Sequence, residues 1–302
     1  MAHQDHRHNH QTIDKGNLFL TIILNFLITV TEILGGIYAN SLSLLSDALH
    51  NFSDGLALIV SYFALKIAQK GSDEKRTFGY KRSTILAAVV NSSVLIILSG
   101  LLLREAYKKF LNPEPIAGKV MIFVALIGLV ANTLGMALLN RGAEKDLNIK
   151  SAYLHLFSDA LASVAVIFGG IIIYYYNIYW VDPALTVIVG IYVLKESFDI
   201  LKKATNILMQ GVPEGIDVMA IVQKLKGIKE IQDVHHVHLW SLNENNLFFE
   251  AHVNLREDLL LSQTNSVYER IKHVLNEHFG INHLTIQFEY NCCPEADIIQ
   301  KE

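Results

Sequence analysis

An eight-residue block with two ionisable residues occurs twice in this chain, each time inside a long apolar stretch. The block is His-x-Phe-Ser-Asp-x-Leu-Ala, at residues 50–57 and 155–162. Residues four apart on a helix lie on one face, roughly 6 Å apart, so each histidine can aim at the same point as its aspartate. Two imidazole nitrogens and two carboxylate oxygens suit tetrahedral zinc, with bonds of roughly 2.0 to 2.2 Å. The repeat predicts one intramembrane metal site, built from His50, Asp54, His155 and Asp159.

Polar neighbours of the first block could complete such a site. A charged group at the bilayer centre costs about 2.5 to 3.5 kcal/mol on insertion scales, so acidic residues in apolar spans indicate function. Interhelical hydrogen bonding is the alternative explanation, and two pairs with the same spacing in a near-identical block favour a metal site over it. Ligating imidazoles usually donate their second N–H to a partner. Candidates for that role, or for lining a water-filled path, are Ser46, Asp47 and Asn25.

A second cluster of histidines lies in the last third of the chain. These histidines fall on three segments of alternating polarity between residues 231 and 290. Side chains alternate between the two faces of a strand, so donors from three strands could converge. The pattern predicts a cytoplasmic metal site that draws on His235, His252, His283 and Glu289. Surface histidines on a half-exposed sheet are the alternative explanation.

The composition indicates a membrane protein with a soluble portion. Hydrophobic residues make up 51% of the 302 residues and charged ones 18%, against about 25% charged in typical soluble domains. The mean hydropathy of +0.32 agrees. The formal net charge of -4 argues against nucleic acid as a partner, because a basic surplus is absent. The two adjacent cysteines, Cys292 and Cys293, cannot form a disulfide framework and fit a reducing cytoplasm.

Six apolar stretches are long enough to cross a bilayer, which takes about 20 residues of helix. Both termini then lie on one side, and the Lys and Arg residues in the loops before the third and fifth spans predict that this side is the cytoplasm. The second and fifth spans run antiparallel, so both His–Asp pairs approach the midplane. The predicted spans are residues 17–38, 42–68, 82–103, 119–139, 152–176 and 180–203.

A soluble α+β domain is predicted after the last span. The sequence Val-Pro-Glu-Gly at 212–215 indicates a linker, and the apolar spacing beyond it predicts an α-β-β-α-β order. These elements are predicted at residues 216–226, 231–242, 247–255, 261–279 and 283–290. A domain this small buries little core and often gains stability by pairing with a second copy.

The expected organisation of the chain has four parts. An N-terminal cytoplasmic tail, residues 1–16, contains His3, His6, His8 and His10, a composition that hints at weak metal capture. The α-helical transmembrane domain follows at 17–206, then the cytoplasmic domain at 207–291 and a short tail at 292–302.

These motifs resemble those of the cation diffusion facilitator family, specifically its zinc-exporting branch of CzcD-like and ZitB-like proteins. The resemblance covers nearly the whole chain. It rests on the runs SDALHNFSD at 46–54, FGYKR at 78–82, HLFSD at 155–159, VHHVHLW at 234–240 and LTIQFE at 284–289.

The resemblance implies a homodimer in the cell membrane (inner or plasma membrane), with six transmembrane helices per subunit and a metallochaperone-like cytoplasmic domain. It also implies exchange of a divalent metal for protons. Carried over residue by residue, it assigns metal transport to His50, Asp54, His155 and Asp159. It assigns a cytoplasmic metal site to His235, His252 and Glu289.

Two positions depart from the pattern of some relatives. Residues 71–80 contain no histidine, so the metal site that some relatives hold in this loop is expected to be absent or weak. Gln287 stands where some relatives have a histidine ligand, which argues against a two-metal cytoplasmic site.

The expected activity is export of zinc from the cytoplasm in exchange for protons, by alternating access and without an enzymatic reaction. Zinc requires neutral imidazole and ionised carboxylate, so protons compete with the metal for the same atoms. Zinc is then the substrate and also a regulator bound by the soluble domain. Export of cadmium or cobalt and a membrane-anchored metal sensor are alternatives. An intramembrane metal hydrolase is disfavoured, because the sequence has no His-Glu-x-x-His run.

Overall fold

The computed structural model describes residues 15–143, 147–243, 246–292 and 297–299. Six long helices come first: α1 (Lys15–Ala39), α2 (Leu42–Ala68), α3 (Ser83–Leu111), α4 (Gly118–Ala143), α5 (Leu147–Tyr176) and α6 (Val181–Leu208). They are followed by α7 (Val218–Lys226), β1 (Ile231–Asn243), β2 (Asn246–Leu255), α8 (Leu261–Phe279) and β3 (His283–Tyr290). The predicted helical membrane domain and the predicted α-β-β-α-β order of the cytoplasmic domain are confirmed.

Each predicted span corresponds to one of the helices α1 to α6. By length and composition alone, three segments of the described chain could cross a membrane: Ser83–Leu111, Gly118–Asn140 and Tyr153–Tyr176. Helix α6 is more polar, with Asp182, Lys195 and Glu196 along its length. The count of six crossings therefore stays a prediction.

Two compact units divide the described chain. The first comprises residues up to Ile59 together with Asn91–Phe198. In this unit α4 packs against α5 and α1, and a Cβ on Gly118 would lie 2.9 Å from the carbonyl oxygen of Gly170. Small residues permit such close approach of membrane helices. Leu44, Met121 and Ile173 bring α2, α4 and α5 into one buried cluster, so the two helices that carry the repeated block share a core.

The N-terminus of α2 is capped by a carboxylate from α6. Asp182 is fully buried, and its Oδ1 accepts hydrogen bonds from the Ser41 hydroxyl at 2.6 Å and from the Ser43 hydroxyl at 2.6 Å. Oδ1 also accepts from the backbone N–H of Ser43, and Oδ2 from that of Leu42. The first N–H groups of a helix lack intrahelical partners, and a carboxylate there is favourable. The cap thus fixes where α2 begins.

The second unit comprises Val60–Val90 and the chain from Asp199 onward. Its three-stranded sheet has the order β1-β2-β3, with β1 and β2 antiparallel and β2 and β3 parallel. Helix α8 makes the crossover that a parallel pair requires. It is capped at its C-terminus by Gly280, which has φ of 68°, a left-handed conformation that favours glycine.

One apolar core holds this sheet to its helices. Val222 and Leu225 of α7 pack with Ile271 and Leu275 of α8. The same cluster includes inward-facing residues of the strands, of which Phe249 of β2 is the largest fully buried side chain. The core fixes the register of the strands, which decides where the histidines on them meet.

Candidate metal centres

The two His–Asp pairs of the repeated block meet in the first unit. His50 and Asp54 come from α2, and His155 and Asp159 from α5. Ligand atoms of His50, His155 and Asp159 all lie within 4.8 Å of one another. Asp54 joins them, because its Oδ2 lies 3.6 Å from His50 Nε2 and 3.0 Å from His155 Nε2. We call these four residues the membrane cluster.

The spacing of these atoms is close to that of ligands around one small ion. A tetrahedral ion with bonds of about 2.0 to 2.2 Å holds its ligand atoms about 3.3 to 3.6 Å apart. Two of the three contacts of the membrane cluster, 3.5 Å and 3.6 Å, fall in that range, and the contact between Asp54 Oδ2 and His155 Nε2, at 3.0 Å, is slightly shorter. With neutral imidazoles the four side chains carry two negative charges, which a divalent cation neutralises.

Three buried atoms of the membrane cluster make no hydrogen bond within the described residues. They are His50 Nδ1, Asp54 Oδ2 and Asp159 Oδ2. Burial differs across the cluster, since the side chain of Asp159 is 4% exposed and that of His155 is 40% exposed. The cluster therefore has one face open and one face closed.

The three predicted neighbours of the cluster lie on α1 and α2. Ser46 and Asp47 are buried on α2, one turn before His50. Asn25 lies on α1, and its Oδ1 is buried without a hydrogen-bond partner in the described chain. None of the three makes a described hydrogen bond to the four cluster residues, so their role beside the cluster stays a prediction.

A second group of metal-ligating side chains forms on the sheet of the cytoplasmic domain. The register pairs His235 of β1 with His252 of β2, and Glu289 of β3 lies on the same side. His235 Nε2 is 3.2 Å from Glu289 Oε2, and His252 Nδ1 is 2.8 Å from Glu289 Oε1. Ligand atoms of the three residues lie within 4.8 Å of one another. We call them the cytoplasmic cluster.

The structure does not bring His283 to this cluster. In the parallel pairing of β2 and β3, His283 is opposite Phe248, whereas His252 is opposite Gln287. The His283 ring instead contacts the Phe248 ring, with 4.3 Å between the centroids. Gln287 donates a hydrogen bond from Nε2 to Glu289 Oε1 at 2.8 Å, so it holds the carboxylate of the cluster.

An aspartate that the sequence analysis did not single out supports His235. Asp233 Oδ2 lies 3.2 Å from His235 Nδ1, while Lys226 Nζ lies 2.7 Å from Asp233 Oδ1. Burial raises the pKa of Asp233, but the hydrogen bond and charge of Lys226, with a further hydrogen bond from His235, bring it below the usual value. A carboxylate on Nδ1 leaves Nε2 free to ligate. The sequence contained a signal for this contact, because Asp233 and His235 are two residues apart on a predicted strand and therefore lie on the same face.

Other residues of the sequence predictions lie elsewhere. The N-terminal histidines are outside the described residues, as is Cys293. Cys292 is disulfide-bonded, and its carbonyl oxygen accepts a hydrogen bond from Asn254.

Comparison with protein families gives two matches. Residues 18–209 match the cation efflux transmembrane domain, and residues 213–291 match the cytoplasmic domain of cation efflux proteins. Together they cover both clusters. The second match, a dimerisation domain, supports metal ions and a second copy of the chain as partners.

Three relatives are similar to this chain over most of their length. A protein of Bacillus subtilis named cadmium, cobalt and zinc/H(+)-K(+) antiporter is 38% identical, covering 94% of this chain and 91% of the relative. The metal cation efflux system protein CzcD of Cupriavidus metallidurans is 36% identical, covering 98% and 93%. The zinc transporter ZitB of Escherichia coli is 34% identical, covering 98% and 95%.

These matches confirm the resemblance that the motifs indicated. The apolar helices α1 to α6 form the membrane domain of such a protein, and the α-β-β-α-β fold forms its cytoplasmic domain. The chain belongs to the cation efflux family of membrane proteins, and it is a transporter rather than an enzyme.

Proposed function

We propose that this protein exports zinc from the cytoplasm in exchange for protons, and that the metal crosses the membrane through the membrane cluster. The observation that carries the proposal is the spacing of the three contacts at Asp54 and His155, 3.0 to 3.6 Å, which suits the edges of a tetrahedral zinc site. Two imidazole donors favour zinc over the harder divalent cations.

Competition at the cluster supplies the coupling to protons. Zinc binds neutral imidazole and ionised carboxylate, so each ligand atom holds either the metal or a proton. Histidine changes its charge near neutral pH. His50 and His155 therefore take up protons as the metal leaves on one side, and release them before the metal binds again on the other.

The two ligand-bearing helices suggest how access alternates. The cluster is formed half by α2 and half by α5, so a displacement of one helix against the other changes the ligand spacing. Transporters with a site near the midplane expose it to either side by rocking their helices. In this proposal the open face at His155 and the closed face at Asp159 exchange roles during the cycle.

The same proposal includes the location, oligomeric state and domain organisation of the protein. It functions as a homodimer in the cell membrane, crosses it six times and keeps both termini in the cytoplasm. The N-terminal tail spans 1–16, the transmembrane domain 17–206, the cytoplasmic domain 207–291 and the C-terminal tail 292–302. The relatives named for transport of zinc, cadmium and cobalt support a divalent metal as substrate, with cadmium and cobalt as alternative cargo.

The cytoplasmic cluster has a separate role in this proposal. His235, His252 and Glu289 offer two nitrogens and a carboxylate, enough to bind zinc with one position left for water or a residue of the second copy. Zinc bound there favours the dimeric arrangement and raises turnover. Zinc is thus both the substrate and a regulator.

The competing function is that of a membrane-anchored metal sensor. Such a sensor would use only the cytoplasmic cluster, and its membrane domain would serve as an anchor. Zinc entry into proteoliposomes under an imposed pH gradient separates the two. We expect gradient-driven entry for the wild type and its loss in Asp159→Ala. The matched control is Asp199→Ala, which removes an exposed carboxylate of α6 and should transport normally.

Each outcome of that experiment is informative. Entry that survives Asp159→Ala would move the metal pathway away from the membrane cluster. Zinc entry without any response to the pH gradient would exclude proton exchange. No transport of zinc, cadmium or cobalt by the wild type would favour the sensor.

A further inference from the structure

A buried carboxyl group close to the membrane cluster lacks a charged partner. Glu32 of α1 is 1% exposed, and its Oε2 accepts a hydrogen bond from Asn51 Nδ2 at 3.1 Å. Its Oε1 is buried without a hydrogen-bond partner in the described residues. No Lys, Arg or His in that part of the chain forms an ion pair with Glu32. An ionised carboxylate with one hydrogen bond is unfavourable in such a place.

No Lys or Arg among the described residues acts on Glu32, and the histidines of the neighbouring helices, His50 and His155, belong to the membrane cluster. The charged groups that act on it are Asp47 of α2 and Asp159 of α5, both acidic. Helix α4 has no ionisable residue between Lys119 and Arg141, and the other ionisable residues of α1 are Lys15, at its first position, and Tyr38, next to its last. While His50 and His155 are neutral, the charged neighbours of Glu32 are therefore carboxylates, which oppose its ionised form.

A glycine on α4 lets the carboxyl group approach the helix backbone. A Cβ on Gly128 would lie 3.0 Å from Glu32 Oε1 and 3.3 Å from Ser163 Oγ. The Ser163 hydroxyl is also buried without a hydrogen-bond partner in the described chain. A protonated carboxyl can donate the hydrogen bond that a carboxylate cannot. When Glu32 Oε1 carries a proton, the hydroxyl oxygen of Ser163 in the same region is thus an acceptor for its hydrogen bond.

We propose that Glu32 is a second proton-binding site, whose occupancy is coupled through Asn51 to the metal in the membrane cluster. The inference rests on the proposed zinc–proton exchange and extends it. Glu32 releases one proton to water, as its carboxylic acid becomes a carboxylate, when a divalent cation arrives nearby. It takes one proton back from water when the cation leaves. In each direction one O–H bond breaks and one forms.

Two observations support this proposal. The number of oxygens near Glu32 indicates a proton rather than a metal cation as its ligand, and the position of Asn51 links Glu32 to the membrane cluster. Hard metal cations take six or more oxygen ligands, whereas the described oxygens here come from Glu32, Asn51 and Ser163. Asn51 directly follows His50 in α2. Any shift of His50 on metal binding therefore moves the only described hydrogen bond that stabilises the ionised form of Glu32.

The test is the number of protons exchanged per zinc ion in proteoliposomes, with Glu32→Gln against the wild type. Gln keeps the shape of the acid form but carries no titratable proton, so the ratio should fall by one. An unchanged ratio would overturn the proposal. A wild type that transports zinc with no proton movement would instead overturn the exchange function itself. Loss of a potassium counterflow in Glu32→Gln, at an unchanged proton ratio, would assign the site to a metal cation and also overturn the proposal.

A binding measurement covers the case in which Glu32→Gln does not transport. Zinc added to the purified protein in weak buffer releases protons, and the variant should release up to one fewer per zinc ion. If the variant does not fold, infrared difference spectra of the wild type decide. Zinc should remove a carboxylic acid C=O band at neutral pH, and no such band in the zinc-free protein would overturn the proposal.

Discussion

His155 Nε2 lies 3.0 Å from Asp54 Oδ2 on the neighbouring helix, closer than the 3.5 Å to Asp159 Oδ2 on its own helix. The shortest contact of the membrane cluster therefore joins α2 to α5. A contact within one helix keeps its length when the helix moves as a body. A contact between two helices changes its length whenever one helix moves relative to the other, so the metal site is sensitive to their relative position.

Asp54→Asn should weaken zinc binding more than any substitution outside the cluster. It replaces the carboxylate that contacts both imidazoles with a neutral amide of the same shape. Loss even of a group that only supports a metal ligand typically costs 10- to 100-fold in affinity, so we expect a loss of about 100-fold. Zinc titration of the purified protein measures it, with the exposed Asp199→Asn as control. Equal affinities for the two variants would contradict the assignment of Asp54.

Glu289→Gln should weaken zinc binding by the cytoplasmic domain about tenfold or more, while gradient-driven transport persists at a lower rate. The carboxylate contacts both histidines of the cytoplasmic cluster, and the substitution removes its charge. Calorimetry on the full chain in the Asp54→Asn background isolates this site. Glu250→Gln, on an exposed position of β2, is the control. A complete loss of transport would show that the cytoplasmic cluster does more than regulate.

Arg270→Met should destabilise the packing of α8 only above acidic pH. Arg270 Nη1 lies 2.9 Å from Glu230 Oε2, and this hydrogen bond, with the charge, lowers the pKa of Glu230. A lowered pKa gives stability that is complete above the unfolded pKa of about 4.3 and is lost as the pH falls through the folded value. Exposed ion pairs contribute about 0.2 to 1 kcal/mol.

Hydrogen exchange of peptides from α8 in the full chain, compared with the wild type at each pH, measures this difference. It should be present at neutral pH and vanish as the pH falls through the lowered folded pKa of Glu230. Lys272→Met, at an exposed position of the same helix, controls for the loss of a positive charge. A difference that is constant with pH would mean that packing of the Arg270 stem, rather than the ion pair, is responsible.

Asp182→Ala should lower the melting temperature of the detergent-solubilised protein. The substitution leaves two backbone N–H groups and two hydroxyls at the start of α2 without their acceptor. Loss of a helix cap costs about 0.5 to 2 kcal/mol, and unsatisfied buried donors raise the cost. Glu114→Ala, which removes an exposed acceptor of Asn40, should have little effect. Equal melting temperatures would show that water replaces the Asp182 carboxylate.

The sequence predicted the secondary structure closely, because each element has a strong apolar period. The predicted strand at 247–255 differs from β2 (Asn246–Leu255) by one residue, and the last predicted helix coincides with α8. Long apolar runs and strict alternation are decided locally, so they can be read without knowledge of the packing.

The residues that the sequence did not place depend on register and on backbone irregularity. His283 lies on the predicted strand, but the parallel register places it opposite Phe248, whereas Gln287, four residues later, is opposite His252. His236 should face away from His235 in a regular strand. Instead its φ of 50° marks an irregularity in β1, and its ring stacks on that of His252 with 4.7 Å between the centroids. Neither effect has a local signal in the sequence.

The cap on α2 holds the first turn of that helix in place, so positions further along the helix move more when it tilts. Asp182 holds its first residue, Leu42. At 1.5 Å per residue, His50 lies about 12 Å from Leu42, and Ile59, the last α2 residue of the first unit, lies about 26 Å from it. If this part of α2 tilts as a rigid rod about the capped end, Ile59 travels about twice as far as the histidine. A shift of about 1 Å at the metal, enough to spoil a tetrahedral site, therefore accompanies a shift of about 2 Å at Ile59.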